Sequence, residues 1–227
     1  MSVKYHADLI QGSDEWLAAR CGLLTASEMK LIVTPGTIKP ANNDKVRAHM
    51  FELMAQRITR YVEPRYIGDD MLRGQEDEIE ARILYAERYA PVHDMGFITN
   101  SEWGFTLGFS PDGLVGDDGF IECKSRRQRF QVETIARGVM PDDFMVQVQT
   151  GFLVSGRKWA DFVSYSGGLP MVTIRVEPDP KIMDAIVEAA TGFEAKMTEW
   201  LDQYGARLSS GARLIPTERR IELEMFA

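Results

Sequence analysis

Ser110-Pro111-Asp112-Gly113-Leu114-Val115-Gly116-Asp117-Asp118-Gly119-Phe120-Ile121-Glu122-Cys123-Lys124 is the stretch that decides the fold. Pro-Asp-Gly is turn chemistry, because proline presets the φ of a turn and glycine tolerates its left-handed positions. Leu114-Val115 and residues 120–123 are short β-type runs on either side of an Asp117-Asp118-Gly119 hairpin turn. Glu122 and Lys124 stand two apart, so a strand puts both on one face and turns Cys123 to the other. Pairing through the hairpin carries Asp112 toward Glu122. The resulting cluster of two carboxylates and an ammonium suits a hard cation such as magnesium, which prefers oxygen ligands and keeps water positions open. The backbone carbonyl of Cys123 offers a further ligand, and Lys124 is placed to orient a water or stabilise developing charge. Each piece alone is ordinary: such turns are common, and a Glu-x-Lys pair on a strand is often a solvated pair of little energetic weight. Together they are more specific, since Phe120 and Ile121 mark a strand that should be buried, where unpaired charges are costly.

Outward from this stretch the pattern is mixed. Residues 97–103 and 105–109 are further β-type runs and extend the hairpin into an expected antiparallel meander. Upstream, Ser13 caps a short helix through Trp16 and Leu17 to Arg20, and Gly22 breaks it. Thr25-x-x-Glu28 reads as a capping box that opens another helix. A longer amphipathic helix after Asn43-Asp44 places Val46, Met50, Leu53, Met54, Ile58 and Tyr61 on one stripe, and the next places Ile79, Ile83, Ala86 and Ala90 on another; both stripes are expected to face the core. Downstream, helical pattern spans residues 130–137 and 141–156, strands span 159–165 and 171–176, and a last helix over 180–204 buries Ile182, Ile186, Ala189, Phe193, Met197 and Trp200. The order predicts an α/β fold with a mixed central sheet flanked by helices.

With 227 residues, 44% of them hydrophobic and 26% charged, and no repeat or low-complexity linker, the chain reads as one domain over residues 1–227. The segment 207–227 stays open between a packed strand, a subunit contact and a tail. No apolar run approaches the roughly 18 residues of a membrane span and no secretory core precedes the first helix, so a cytoplasmic protein without membrane partners is expected. Two cysteines without CxxC spacing and three scattered histidines do not make a zinc or iron–sulfur site, which leaves carboxylates and hard cations. The net charge of −8 argues against a uniformly basic nucleic-acid binder, yet Arg126, Arg127 and Arg129 gather directly after the Glu-x-Lys strand and could track a DNA backbone.

Pro111-Asp112 followed by Glu122-Cys123-Lys124 resembles the signature of the PD-(D/E)xK nuclease superfamily. Arg20-Cys-Gly-Leu-Leu-Thr25-Ala-Ser27, Gly74-Gln-Glu-Asp-Glu78 with Ala81-Arg82, Ser110-Pro-Asp112-Gly, Glu122-Cys-Lys124 and Gln147-Val-Gln149 then resemble, in serial order, the motifs of the lambda-exonuclease or YqaJ-type viral recombinase family. The resemblance implies a restriction-endonuclease-like core and a magnesium-dependent enzyme, with manganese as a possible substitute. It implies 5′ to 3′ degradation of one strand of linear duplex DNA, releasing 5′ mononucleotides and leaving a 3′ strand for annealing-type phage recombination. A homotrimeric ring, a single-strand annealing protein as partner and a phage or prophage origin come with it.

By the same resemblance Asp112 and Glu122 bind metal, and Glu78 faces them from a helix to help hold a second ion or its water; Glu76, in the same acidic turn, is the competing assignment. Arg20 and Ser27 form a pocket for the 5′-terminal phosphate, shared with Ser110 and Gln147. Local physics supports part of this, since a helix start at Thr25 would offer free N–H groups beside Arg20. Gln147 and Gln149 point roughly 200° apart on a helix, so they cannot share a site, and Gln147 is the one assigned. Trp16, four positions before Arg20, lies on the same helix face and could stack on the terminal base. Two other readings remain at this stage: an endonuclease or structure-specific nuclease of the same superfamily, which needs no end pocket, and a catalytically idle subunit that binds DNA ends.

Overall fold

Pro111 ends the expected meander, because it lacks an N–H for a ladder and sits where the chain turns between two sheets. The computed structural model describes residues 2–64 and 68–219. One four-stranded sheet runs in the order β1 (Val3–His6), β5 (Phe97–Asn100), β6 (Leu107–Phe109) and β2 (Leu24–Thr25), with only the last pair parallel. The other runs β10 (Val172–Val176), β9 (Trp159–Tyr165), β8 (Gly119–Ser125) and β7 (Gly113–Val115), with β8 and β9 parallel. A small hairpin joins β3 (Val33–Thr34) to β4 (Lys39–Pro40). Both larger sheets are mixed and flanked by helices, the architecture expected from the sequence.

Helix α5 (Asp142–Ser155) is apolar on most of its circumference and is the buried spine of the molecule. Gly151 lets it come close to both sheets: a Cβ there would stand 2.9 Å from the ring tips of Phe109 on β6 and Phe120 on β8. Those two rings meet edge to face at 5.0 Å, and Phe120 continues to Phe152 at 5.1 Å, so one aromatic run closes the gap between the sheets. On the opposite face of β8 and β9, Ile121, Cys123 and Val163 pack against Ala81 and Tyr85 of α3 (Asp69–Arg88). The remaining helices are α1 (Asp14–Arg20), α2 (Asp44–Thr59), α4 (Gln128–Arg137) and α6 (Pro180–Ser209).

Three expected core stripes shift. In α2, Met50, Leu53 and Met54 are buried, but Ile58 in its last turn is exposed, and so is Tyr61, which lies past the left-handed Arg60 that ends the helix. In α3, Ile79 and Ile83 are exposed at 59% and 48%. The buried side carries Ala81 and Tyr85 instead, which turns Asp77 and Glu78 toward β8. The cause is chemical: charged groups on that face find partners at the strand, so polar contacts outweigh the rotation that amphipathicity favours. In α6, Ile186, Ala189, Phe193 and Met197 are buried, whereas Trp200 is exposed and pairs edge to face with Phe51. The helix runs five residues beyond the expected end at Tyr204. Of the segment 207–227, residues 210–219 contain no strand; Arg219 lies 3.7 Å above the ring of Tyr61, and residues 220–227 lie outside the described chain.

The loop from Arg20 to Thr25 is held from below. Arg57 donates to the Gly22 carbonyl at 2.8 Å and forms a two-bond pair with Glu194 of α6 at 2.8 and 2.6 Å. Gly22 has φ +73, and a Cβ there would collide with the Arg57 side chain at 2.5 Å. Removing Arg57 strands a mostly buried Glu194 carboxylate, so Arg57→Ala is expected to cost about 3 kcal/mol in urea unfolding. A loss under roughly 1 kcal/mol would mean that the pair is as weak as a surface one.

Candidate active site

The catalytic candidates gather where β7 and β8 part. Gly113 of β7 pairs with Ile121, and among the described residues no strand partner continues on that side of β8. Asp112, one residue earlier, takes over with its side chain: its Oδ2 accepts the Cys123 N–H at 2.6 Å. The Pro-Asp turn therefore satisfies the backbone of the Glu-x-Lys strand directly, which explains how the two halves of the motif stay in register.

Glu122 is 1% exposed and faces α5, where Gln147 donates to its Oε1 through a very short hydrogen bond. Lys124 Nζ lies 2.6 Å from the same oxygen and 3.9 Å from Glu78 Oε1. Asp112, Glu122, Lys124, Glu78 and Gln147 thus come together as the sequence implied. Glu76, the competing acid, is exposed on the other side of α3. Gln149 serves the fold: it donates to the Glu177 carbonyl at 2.9 Å and accepts the Asp179 N–H at 2.8 Å.

Burial dominates the electrostatics. Loss of hydration pushes Glu122 up to about 8 and Glu78 up to about 7, each opposed by Lys124 and reinforced by neighbouring carboxylates. Asp112 is raised for the same first reason and held back by Lys124, by the Cys123 N–H and by Arg82. Lys124 is raised despite its own desolvation, because three carboxylates surround it, so it stays cationic throughout the physiological range.

Two features were not legible in the motifs. Ser125, at the end of β8, donates to Asp77 at 2.5 Å and fastens α3 to the strand beside Lys124. Further along α3, Tyr85 donates to Asp161 of β9 at 2.6 Å, and Arg175 clamps the same carboxylate while covering Trp159. These anchors set the position of Glu78. A signal existed in principle, since an acid directly before Glu78 and a serine directly after Lys124 repeat the polarity of the site, but neither is distinctive alone.

A second group forms at the other side of the same cleft, a cavity of about 1220 Å³ lined by Trp16, Arg20, Thr25, Glu28, Glu78 and Asp112 among others. The capping box expected at Thr25 is not formed. Residues 24–25 pair as β2 with β6, and only a three-residue 3₁₀ turn, Met29–Leu31, follows; its cap is Glu28, without a side-chain bond. The Thr25 hydroxyl donates to the Glu28 carboxylate at 2.9 Å instead of capping a backbone N–H. The strand pairing with β6 holds Thr25 extended, which removes the helix start. Any anion held here meets side chains rather than a helix dipole.

Arg20 donates to Thr25 at 3.3 Å, and Ser27 is exposed 3.4 Å from the same hydroxyl. Trp16 gives its indole N–H to Ser110 at 3.0 Å and to the Gly96 carbonyl at 3.1 Å, and Arg20 covers one face of its ring at 4.1 Å. That ring face is closed to a base by the guanidinium. Ser110 is thereby tied to Arg20 through Trp16, whereas Gln147 sits with Glu122 and makes no hydrogen bond with Arg20 or Ser27. Among the three basic residues after β8, Arg126 is half-buried against Phe130 and Phe144, Arg129 stacks on Phe130, and Arg127 and Arg129 are exposed.

Among the described residues no three His, Cys, Asp or Glu side chains converge as a ready-made cage. Magnesium does not require one, since it uses one or two carboxylates and completes its shell with water and phosphate. Glu122 Oε2 is buried with no hydrogen-bond partner, and leaving such an atom unmade is costly. An orphaned carboxylate oxygen beside Asp112 fits a hard cation.

A Pro-Asp turn bonded to a Glu-x-Lys strand, on a mixed sheet between helices, defines the PD-(D/E)xK nuclease class. Residues 15–158 match the model of the YqaJ-like viral recombinase domain, and the chain belongs to that family. It is similar to the alkaline exonuclease LHK-Exo from Laribacter hongkongensis, at 32% identity and a TM-score of 0.78 over 88% of this chain and 100% of that one. The structure of LHK-Exo in complex with dAMP matches at 33% identity, the same TM-score and the same coverage. A phage-related exonuclease from Haemophilus somnus 129PT shares the fold at 14% identity and a TM-score of 0.53, over 82% of this chain and 96% of that one. No curated protein matches the chain. No described helix is long and apolar enough to cross a membrane.

Proposed function

We propose that the chain is a magnesium-dependent exonuclease that degrades linear double-stranded DNA 5′ to 3′ from phosphorylated ends. In this reading it releases 5′ mononucleotides and leaves a 3′ strand for annealing-type recombination, acting as a homo-oligomeric ring beside a single-strand annealing protein. The observation that carries the nuclease reading is the buried Asp112–Glu122–Lys124 cluster with an unsatisfied carboxylate oxygen. Family membership and the likeness to LHK-Exo support an exonuclease over an idle binding subunit.

Asp112 and Glu122 would hold the metal, with Glu78 and the Cys123 carbonyl at its margin; manganese would substitute for magnesium. The bound ion would supply Lewis-acid activation of water and neutralisation of a phosphate oxygen. The protein's own part is positional. Gln147 fixes the Glu122 carboxylate, Asp112 locks the strand through Cys123, and Lys124 presents a permanent positive charge where the attacked phosphate gains negative charge. Arg20 and Ser27 would receive the 5′-terminal phosphate, with Trp16 as the platform under Arg20, and Arg127 and Arg129 would meet the duplex backbone.

The deciding experiment uses linear duplexes labelled at each 5′ or 3′ end, with and without 5′-phosphate, beside a covalently closed circle. Mononucleotides released only from phosphorylated linear ends are expected with magnesium. Cutting of the circle would replace the reading with an endonuclease, and no cutting with any divalent metal would leave a binding subunit. Arg20→Ala is expected to reduce the preference for phosphorylated over hydroxyl ends by roughly tenfold or more, the scale of a lost charge-assisted hydrogen bond. An unchanged preference would remove Arg20 from the pocket.

A further inference from the structure

We propose that Glu28 is a positioning residue for the end-phosphate pocket, its carboxylate fixing the direction of the hydroxyl chain that presents Arg20 and Ser27. The inference rests on the reading of Arg20 and Ser27 as that pocket. A threonine hydroxyl has one proton. Thr25 gives it to Glu28 Oε2 at 2.9 Å, so its lone pairs face the other way. Arg20 Nη2 donates to that oxygen at 3.3 Å, and in the 3.4 Å contact with Ser27 the serine must be the donor. Thr25 is 2% exposed, so it acts through these neighbours rather than by touching an end itself.

Glu28 is backed in turn. His49 is 3% exposed, stacks on Phe193 of α6 and contacts Glu52 through Nδ1 at 3.2 Å. Its Nε2 lies 4.0 Å from Glu28 Oε2 and has no hydrogen-bond partner. The guanidinium of Arg20 rests on the Trp16 ring face and donates to the Thr25 oxygen, and the direction of that second contact depends on Glu28. By charge alone a carboxylate beside an anion seat opposes phosphate. Its contribution is therefore directional: Arg20 supplies the attraction, and Glu28 keeps Arg20 and Ser27 from relaxing onto one another.

The requirement is an acceptor at residue 28, not a negative charge. The test measures affinities for a short blunt duplex bearing 5′-phosphate or 5′-hydroxyl, in EDTA so that no cleavage intervenes, with a thermal melt of every variant. Glu28→Ala and Thr25→Val are each expected to lower the phosphate-to-hydroxyl affinity ratio roughly tenfold, the scale at which outer hydrogen-bond partners act on a site. Glu28→Gln keeps an acceptor and is expected to retain most of the ratio. If Glu28→Ala does not fold, Thr25→Val and Glu28→Gln decide. Loss of the ratio in Arg20→Ala with its retention in Glu28→Ala or Thr25→Val would overturn the role of Glu28 and leave the pocket standing. Equal loss in Glu28→Gln and Glu28→Ala would also overturn it, because charge and not direction would then matter. Retention of the ratio in Arg20→Ala would remove the pocket and this inference together.

Discussion

Replacing Lys124 by alanine is expected to lower cleavage of linear duplex DNA by roughly a thousandfold, the upper range for losing one preorganised charge donor, while end binding in EDTA changes by no more than about threefold, well under 1 kcal/mol. The separation follows from where Lys124 sits. It is enclosed by Glu122 at 2.6 Å, Glu78 at 3.9 Å and the field of Asp112, so its ion pairs are with these carboxylates and not with the groups proposed to hold the end phosphate. Removing it would ordinarily strand a buried charge at a cost of about 3–5 kcal/mol. Glu122 has an escape, however: burial already lifts its carboxyl to about 8, so it is mostly protonated at neutral pH, and without the ammonium it rises further and keeps that proton. The variant is therefore expected to fold and melt close to the parent at pH 7. Equal loss of binding and cleavage would count against a catalytic role for this lysine and favour a structural one.

The same cluster shows how far a sequence carries. Asp112, Glu122 and Lys124 were legible because strand periodicity and turn chemistry act over a few residues, whereas Gln147 was legible only through the family resemblance, helical geometry showing no more than that it and Gln149 cannot share a site. The long helices and β9 were legible for the same reason: apolar periodicity and terminal glycines are local. What the sequence did not yield depends on partners far along the chain. Amphipathicity puts Ile79 and Ile83 on the buried face of α3, whereas the structure buries Ala81 and Tyr85, because Ser125 and Asp161 offer bonds to Asp77 and Tyr85 that no local window contains. The capping box at Thr25 failed similarly: pairing with β6, more than eighty residues away, holds Thr25 in a strand. The split of the expected meander is intermediate. Pro111 was visible as a breaker, but only the aromatic run from Phe109 through Phe120 to Phe152 shows how two sheets still share one core.

Magnesium affinity is expected to climb steeply with pH and then level off, because the carboxylates that would hold the ion are protonated in its absence. Glu78 at about 7 and Glu122 at about 8 each have to release a proton on binding. Below pH 7 the loss of two protons raises apparent affinity by up to about a hundredfold per pH unit; between 7 and 8 the slope falls toward tenfold, and above 8 toward none. Stability of the metal-free protein has the opposite sign. A carboxyl whose folded pKa lies above its unfolded value binds more protons in the native state, so its contribution is complete below the unfolded value of 4.5 and is lost as pH rises through 7 and 8. Lys124 stays charged over that window and adds no slope. Thermal melts in EDTA should therefore fall from pH 5 to pH 8, and added magnesium should recover the loss most at the alkaline end. Titration calorimetry at several pH values reads the proton release directly. A metal affinity that is flat between pH 6 and 8 would mean that Glu78 and Glu122 do not hold the ion. If the affinity instead climbs as expected in the parent and loses one proton of slope in Glu122→Gln, that residue is identified as one of the two groups that titrate. The Lys124→Ala variant sharpens the distinction, since raising Glu122 further should shift the steep region of the curve to higher pH without changing its slope.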